Sequence, residues 1–175
     1  MLIKLQNLIT ELQVNKQQGK LNTEIAGIAY DSREVKEWYI FLEISGFETD
    51  GHQYIADAVN NGAQAVIVEK EVDELEIPVI EVEDSRKALA QVSAKFYDYP
   101  AQKLTVVGVT GTNGKTTTTY LIEGILNNLG LETGLVGTIK NKVGHKEQSA
   151  SRTTPESLDL QRMFAEMLAD GVTHV

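Results

Sequence analysis

The chain reads as an α/β protein in two parts: a small α/β unit, then a second unit in which a glycine-rich loop is built on a parallel sheet. Three observations predict this. Short β-rich runs alternate with helical patterns as far as Gln102. A continuous β-branched run, Leu104 to Val109, then leads through a glycine-rich turn into a helical stretch and another β-rich run, the order that makes a parallel sheet. The charge also changes part-way. Through Gln102 there are nine Lys and Arg against eighteen Asp and Glu, after it seven against seven, so the whole net charge of −9 lies in the first part. The expected division is therefore 1–102 and 103–175.

Each element has a local cause. Ile3, Leu5, Leu8, Ile9 and Leu12 recur at helical spacing and predict a helix from Ile3 to Val14, ahead of the turn-like Gln18-Gly19-Lys20. Ile25 to Tyr30 and Tyr39 to Ile44 read as strands. A polar loop, Ser45 to His52, and a helix from about Gln53 follow, and Gly62 stops that helix. Ala65 to Val68 and Pro78 to Val82 read as buried strands. Asp84 or Ser85 can cap the next helix, whose Ala88, Leu89, Val92 and Phe96 share one face ahead of Pro100. In the second part we expect a strand over Leu104 to Val109, a helix to about Leu129 closed by Gly130, and a strand around Thr133 to Ile139. A hairpin or loop over Lys140 to Arg152 comes next, then a helix opened by Thr154-Pro155 with Pro at its first position. It carries Leu158, Met163, Phe164 and Met167, and Val172 to Val175 begins a further strand.

Composition narrows the function classes. With 175 residues and 42% apolar side chains the chain can bury a core. No run approaches the roughly 18 apolar residues that would span a membrane, and Met1 to Val14 lacks a signal-peptide core, so a soluble, cytoplasmic protein is expected. The absence of cysteine excludes disulfides and cysteine-based zinc sites or catalysis. The acidic first part would repel a phosphate backbone, which disfavours nucleic acid as a partner. Between Glu69 and Asp84 the carboxylates alternate with Val72, Leu75, Ile77, Val79, Ile80 and Val82, the pattern of a solvated face rather than of a metal site.

The strongest chemical signal is Gly108-Val109-Thr110-Gly111-Thr112-Asn113-Gly114-Lys115-Thr116-Thr117, between an expected strand and an expected helix. Glycines let backbone N–H groups turn toward an anion, and the helix N-terminus adds partial positive charge. Lys115 can reach β- and γ-phosphates, and Thr116 can ligate Mg²⁺. The generic spacing would put glycine at Val109, so this chain meets the pattern in its Gly114-Lys115-Thr116 half. Gly111, Thr112, Asn113, Gly114, Lys115, Thr116 and Thr117 are the candidate ATP contacts, with Lys115 the candidate catalytic residue. His52 and His145 stand isolated in polar loops and are read as surface residues.

The string Thr110 to Thr118 resembles the ATP loop of the Mur ligases, which departs from the generic loop in the same way. Asp31-Ser32-Arg33 and Gly46-Phe47-Glu48-Thr49-Asp50-Gly51-His52 are similar to the uridine-nucleotide-binding first domain shared by the MurE and MurF types. Thr153-Thr154-Pro155-Glu156-Ser157-Leu158 resembles the MurE substrate loop. The resemblance implies that 1–102 binds the UDP-sugar, with Tyr30, Ser32, Phe47, Glu48 and Thr49 as contacts, and that Thr153 and Thr154 meet the muramoyl-dipeptide. It also implies that 103–175 is part of an ATP-binding central domain whose completion, with a third domain, lies in sequence this chain does not contain. Three departures stand out: Lys36-Glu37-Trp38-Tyr39 where the family carries a Pro-Gly or similar turn, Ser45 where a lysine often precedes Gly46, and Arg152 where an asparagine often precedes the threonine pair.

The implied reaction of a complete enzyme is ATP-dependent phosphorylation of the glutamate carboxylate of UDP-N-acetylmuramoyl-L-alanyl-D-glutamate, with Mg²⁺, followed by attack of a diamino acid amine (meso-diaminopimelate or L-lysine) on the acyl phosphate. Rival readings are a non-catalytic nucleotide- or UDP-sugar-binding module and a MurF-type ligase. The 175 residues alone are expected to be inactive, and their second unit poorly covered over Leu158, Met163, Phe164 and Met167 and inclined to self-associate, whereas a complete enzyme would be monomeric.

Overall fold

The structure, a computed structural model, describes residues 2–44, 51–144, 146–149 and 154–175. It divides into two compact units, Met1–Phe96 and Tyr97–Val175, six residues earlier than the change in composition suggests.

The first unit is built on a five-stranded sheet. Its strands are β2 (Val14–Gln18), β4 (Gly27–Ala29), β5 (Tyr39–Leu42), β6 (Ala63–Val68) and β7 (Val79–Val82), in the order β2-β7-β6-β5-β4. β4 to β7 are parallel and β2 closes one edge antiparallel to β7. A short pair, β1 (Ile3–Lys4) with β3 (Glu24–Ile25), stands beside it. Register assigns the faces. Phe41 lies opposite Val66, and with Val68 and Val79 they pack on Ile55 and Ala58 of α2 (Ile55–Asn60). The alternate positions Ile40, Leu42, Ile67 and Ile80 point to the other face and are fully buried. Such runs, apolar on both faces, are what a covered parallel sheet requires.

α3 (Ser85–Phe96) begins where two carboxylates satisfy its free amides. Asp84 Oδ1 accepts from Lys87 N at 2.8 Å, and Glu69 Oε1 accepts from both the amide and the hydroxyl of Ser85, each at 2.8 Å. Ala88, Leu89 and Val92 are buried as their spacing predicts. Glu71, Asp73, Glu74, Glu76, Glu83 and Asp84 are exposed, so the acidic run is a solvated face.

Two expectations are corrected here. The helix over Ile3 to Val14 shrinks to α1 (Leu5–Leu8), because Val14 onward leaves to pair with β7 and the amides of Leu5 and Gln6 are taken by Thr23 O and Leu21 O. The strand over Ile25 to Tyr30 is broken into β3 and β4 around Ala26, whose amide donates to Trp38 O at 2.7 Å. Trp38 itself makes the turn before β5 at φ 68, a left-handed conformation rare for a bulky residue.

In the second unit the parallel core is narrow. The segment 173–175 lies between 105–107 and 132–134, with Thr105 N donating to Thr173 O at 2.9 Å, Val107 N to Val175 O at 2.8 Å and Gly134 N to His174 O at 2.8 Å. Leu135 then pairs antiparallel with Lys142, the first strand of the hairpin β8 (Lys140–Val143) and β9 (Lys146–Ser149). The runs expected as full strands at 104–109, 133–139 and 172–175 are thus extended segments joined by isolated bridges. Val106 and Val107, expected to be buried, are 47% and 44% exposed.

The helices complete this unit. α4 (Lys115–Asn128) follows the glycine-rich loop and ends ahead of Gly130. α5 (Ser157–Ala169) has Glu156 as its N-cap, so Pro155 lies outside the helix rather than at its first position. Leu158, Phe164 and Met167 are buried, the last two against Leu104, Val143 and Val172, which overturns the expectation that this helix lacks cover. The cover is missing on α4 instead: none of its residues is buried, and Leu121, Ile125 and Leu129 are 63%, 62% and 71% exposed. Among the described residues no helix is long and apolar enough to cross a membrane.

Candidate functional site

Each unit carries one cleft that gathers residues singled out from the sequence. In the first unit, a cleft of about 450 Å³ opens at the carboxyl ends of β4 and β5, where parallel α/β sheets place their ligands. Tyr30 and Ser32 line it, as do Phe41, Tyr54 and Asp57. The turn that forms its wall is stapled locally. Asp31 Oδ1 accepts from Arg33 N at 2.9 Å, and the Arg33 guanidinium donates to the same carboxylate at 2.6 and 2.9 Å. That hydrogen-bonded guanidinium holds the Asp31 carboxyl below the usual carboxylate range. Asn61 Nδ2 donates to Ser32 O at 2.9 Å and ties the turn to the end of α2. Ser32 is buried to 6% exposure, so its hydroxyl faces a restricted space.

Phe47, Glu48, Thr49 and Thr153 lie outside the described residues, as do His145 and the side chain of His52. Tyr54 and Asp57 were missed by the sequence reading. The available signal was their three-residue spacing, which brings them to one side of the helical stretch predicted from Gln53.

In the second unit the loop from Thr110 to Gly114 joins the extended 105–107 segment to α4. Gly111 and Gly114 adopt φ 149 and 82. A Cβ at Gly111 would come within 3.7 Å of Asn113 O, while one at Gly114 would meet open space, so the conformation rather than crowding calls for glycine. Thr118 N donates to Gly114 O at 2.9 Å and starts the helix, leaving the amides of Lys115, Thr116 and Thr117 as free N-terminal donors by position. Lys115 Nζ donates to Gly111 O at 2.6 Å, folded back over the loop.

A cleft of about 510 Å³ lies against this loop. Gly111, Lys115 and Thr116 line it together with Thr154 from the run before α5, while Thr112, Asn113, Gly114 and Thr117 stand exposed on the loop's outer side. Tyr120 and Lys140 also line it, and no carboxylate is among its described lining residues. Lys140 Nζ sits 2.6 Å from Glu147 Oε1 and 5.9 Å from the centre of the Tyr120 ring. The hydrogen bond to Glu147 raises the ammonium pKa and lowers that of the carboxyl. The cleft is therefore lined by two lysines, by loop backbone and by hydroxyls, a lining suited to a polyanion once the ammonium groups turn inward. Among the described residues no group of three or more His, Cys, Asp or Glu could hold a metal by itself, so any cation here would need oxygens from a ligand beside the hydroxyl of Thr116.

Comparison with known proteins gives a consistent result. Residues 24–97 match the Mur ligase family, catalytic domain, and residues 109–175 match the Mur ligase middle domain. The UDP-N-acetylmuramoyl-L-alanyl-D-glutamate--2,6-diaminopimelate ligase of Halalkalibacterium halodurans is 49% identical over 98% of this chain and 35% of its own length. The enzyme of the same name from Caldanaerobacter subterraneus subsp. tengcongensis is 46% identical over 90% of this chain and 33% of its own. The chain thus spans about a third of the curated relatives it matches. Among solved structures, a ligase of that name aligns with TM-score 0.79 at 24% identity, over 99% of this chain and 35% of the other, and supports the fold. MurF from Acinetobacter baumannii aligns with TM-score 0.63 at 29% identity, over 99% and 35% respectively.

Proposed function

Because the chain belongs to the Mur ligase family, we propose that it is the part of a peptidoglycan-precursor ligase that holds the uridine nucleotide with its first unit and the phosphates of ATP with its second. The observation that supports this most is the loop cleft: the positive-φ Gly111, a helix N-terminus, Lys115 and Thr116 around a space with no carboxylate among its described lining residues. The relatives' shared name favours diaminopimelate as the amine and the MurE type over the MurF type.

The geometry supports a division of labour. In the complete ligase the D-glutamate carboxylate would attack the γ-phosphorus of ATP, forming the acyl phosphate and releasing ADP. The diamino acid amine would then attack the acyl carbon and expel phosphate. These steps need positioning and charge neutralisation more than a protein nucleophile. Lys115 Nζ, bonded to Gly111 O through one of its three N–H donors, would turn its remaining donors to the β- and γ-phosphate oxygens. The free amides at the start of α4 face the same anion. Thr154, and by resemblance Thr153, would orient the carboxylate that receives the phosphoryl group. The residues fit Mg²⁺, which when bound neutralises phosphate charge. Thr116 would supply a hydroxyl ligand and the phosphates the remaining protein-independent oxygens.

In the first cleft, the Ser32 hydroxyl offers hydrogen bonding, and the rings of Tyr30 and Tyr54 offer a stacking surface for a uracil-sized base. Titrating the chain with MgATP and with UDP-N-acetylmuramic acid, followed by chemical-shift mapping, tests both assignments. MgATP should perturb Gly111 to Thr117, and the UDP-sugar should perturb Tyr30 to Arg33, Tyr54 and Asp57. Perturbations that avoid those stretches would refute the corresponding site. In the complete ligase, Lys115→Ala should lower the rate by about 10² or more, the scale of losing one preorganised electrostatic donor.

A further inference from the structure

Lys140 is a cation that the phosphate-loop pattern does not contain and that nothing in the sequence reading assigned. It opens β8, 25 residues beyond Lys115, yet it lines the same cleft. Its side chain is 30% exposed, and its ammonium lies 5.9 Å from the centre of the Tyr120 ring and is held by Glu147 from the opposite strand of the hairpin, itself 54% exposed. Glu147 is not among the residues lining the cleft, so the ion pair ties the ammonium to a carboxylate outside that lining. An exposed pair of this kind is worth little in water and exchanges readily for a stronger anion.

We propose that Lys140 is a second phosphate-positioning residue of the loop cleft, latched by Glu147 when the cleft holds no anion and transferred to a terminal phosphate oxygen when polyphosphate enters. The Tyr120 ring gives the ammonium a favourable surface along that path. A doubly charged clamp suits a γ-phosphoryl group that is being handed on: Lys115 approaches from the loop and Lys140 from the hairpin, so charge spread over the equatorial oxygens is met from two directions. Glu147 acts only through Lys140, by competing for it. The proposal rests on the phosphate-loop reading above.

The test is calorimetric binding of MgATP, inorganic tripolyphosphate and, as a carboxylate probe, glutarate to the chain and its variants at several salt concentrations. Lys140→Met should weaken tripolyphosphate and MgATP by about tenfold, the scale of one hydrogen bond to a charged group, and flatten the salt dependence, with an unchanged melting temperature. Lys140→Arg should restore most of the affinity. Glu147→Gln should strengthen tripolyphosphate binding severalfold, an effect a merely structural hairpin contact would not give. Unchanged polyphosphate affinity in Lys140→Met, weaker binding in Glu147→Gln, or dependence on Lys140 for glutarate alone would overturn the proposal while leaving the loop reading intact. Failure of the unmodified chain to bind tripolyphosphate, or binding that Lys115→Met leaves unchanged, would overturn the loop reading and this inference with it.

Discussion

α3 and α4 are helices of similar length, 12 and 14 residues, that treat their apolar residues in opposite ways. α3 buries Ala88, Leu89 and Val92 beneath a closed five-stranded sheet unit and has its amides capped by Asp84 and Glu69. α4 buries none. Leu121, Ile125 and Leu129 form a stripe at four-residue spacing that faces solvent, and ordered polar contacts, Lys142 Nζ to Glu123 at 2.9 Å and Thr133 Oγ1 to Asn127 at 2.8 Å, join its inner side to neighbouring segments. An apolar stripe of this kind is a face suited to packing, and among the described residues nothing buries it. The contrast teaches that the first unit sets its cleft on a buried core, whereas the second carries its glycine-rich loop on a helix none of whose residues is buried.

The comparison can be broken or sharpened by substitution. The largest effect should come from matched truncations. Leu89→Ala, at a fully buried position, should cost about 2–5 kcal/mol, while Ile125→Ala should stay within about 0.5 kcal/mol. Urea denaturation followed by circular dichroism measures both, and comparable losses would mean that α4 is packed after all.

Trp38→Gly comes next and has the opposite sign. Trp38 is 48% exposed and holds φ 68, a conformation costing a non-glycine residue about 1–2 kcal/mol, so glycine should stabilise the first unit by up to about 1 kcal/mol after the lost contact area is counted. A lower midpoint in urea would show that the indole contributes more than the strain removes. Trp38 lies within Lys36-Glu37-Trp38-Tyr39, the stretch set apart in the sequence, and its left-handed φ is what that stretch requires of the turn before β5.

The smallest effect concerns Asp31. Its carboxylate caps the Ser32–Glu34 turn and its pKa is held down by Arg33, so the folded state binds the proton less well than the unfolded chain does. The stabilisation is therefore fully present above the unfolded value of about 3.9 and is lost as pH falls through the lower folded one. Asp31→Asn keeps a capping acceptor but loses the charge pairing with Arg33, so it should cost about 0.2–1 kcal/mol at pH 7 and progressively less below about pH 4. A difference that stays constant down to pH 3 would remove Arg33's influence from the account.

How much of this was legible in the sequence depends on whether the cause was local. The capping of α3, the stop at Gly62, the hairpin after Lys140 and the loop between Thr110 and Thr117 follow from residues within a few positions of one another, and they were readable. The end of α1 after Leu8 was not, because Val14 to Gln18 is claimed by β7, more than 60 residues away, and no periodicity in Leu5, Leu8, Ile9 and Leu12 reports that. Glu69 as a partner of Ser85, and Lys140 as a wall of the loop cleft, are likewise products of tertiary placement. Val106 and Val107 failed for the converse reason: a β-branched run predicts a buried strand, but burial requires neighbours on both faces.

Native-state hydrogen exchange on the ligand-free chain tests the central contrast most directly, since it reads the opening of each helix separately. The amides of α4 from Thr118 to Asn128 should exchange well before those of α3 from Leu89 to Phe96, with protection reappearing in α5 around Phe164 and Met167. Protection of α4 equal to that of α3 in a monomer would contradict the account.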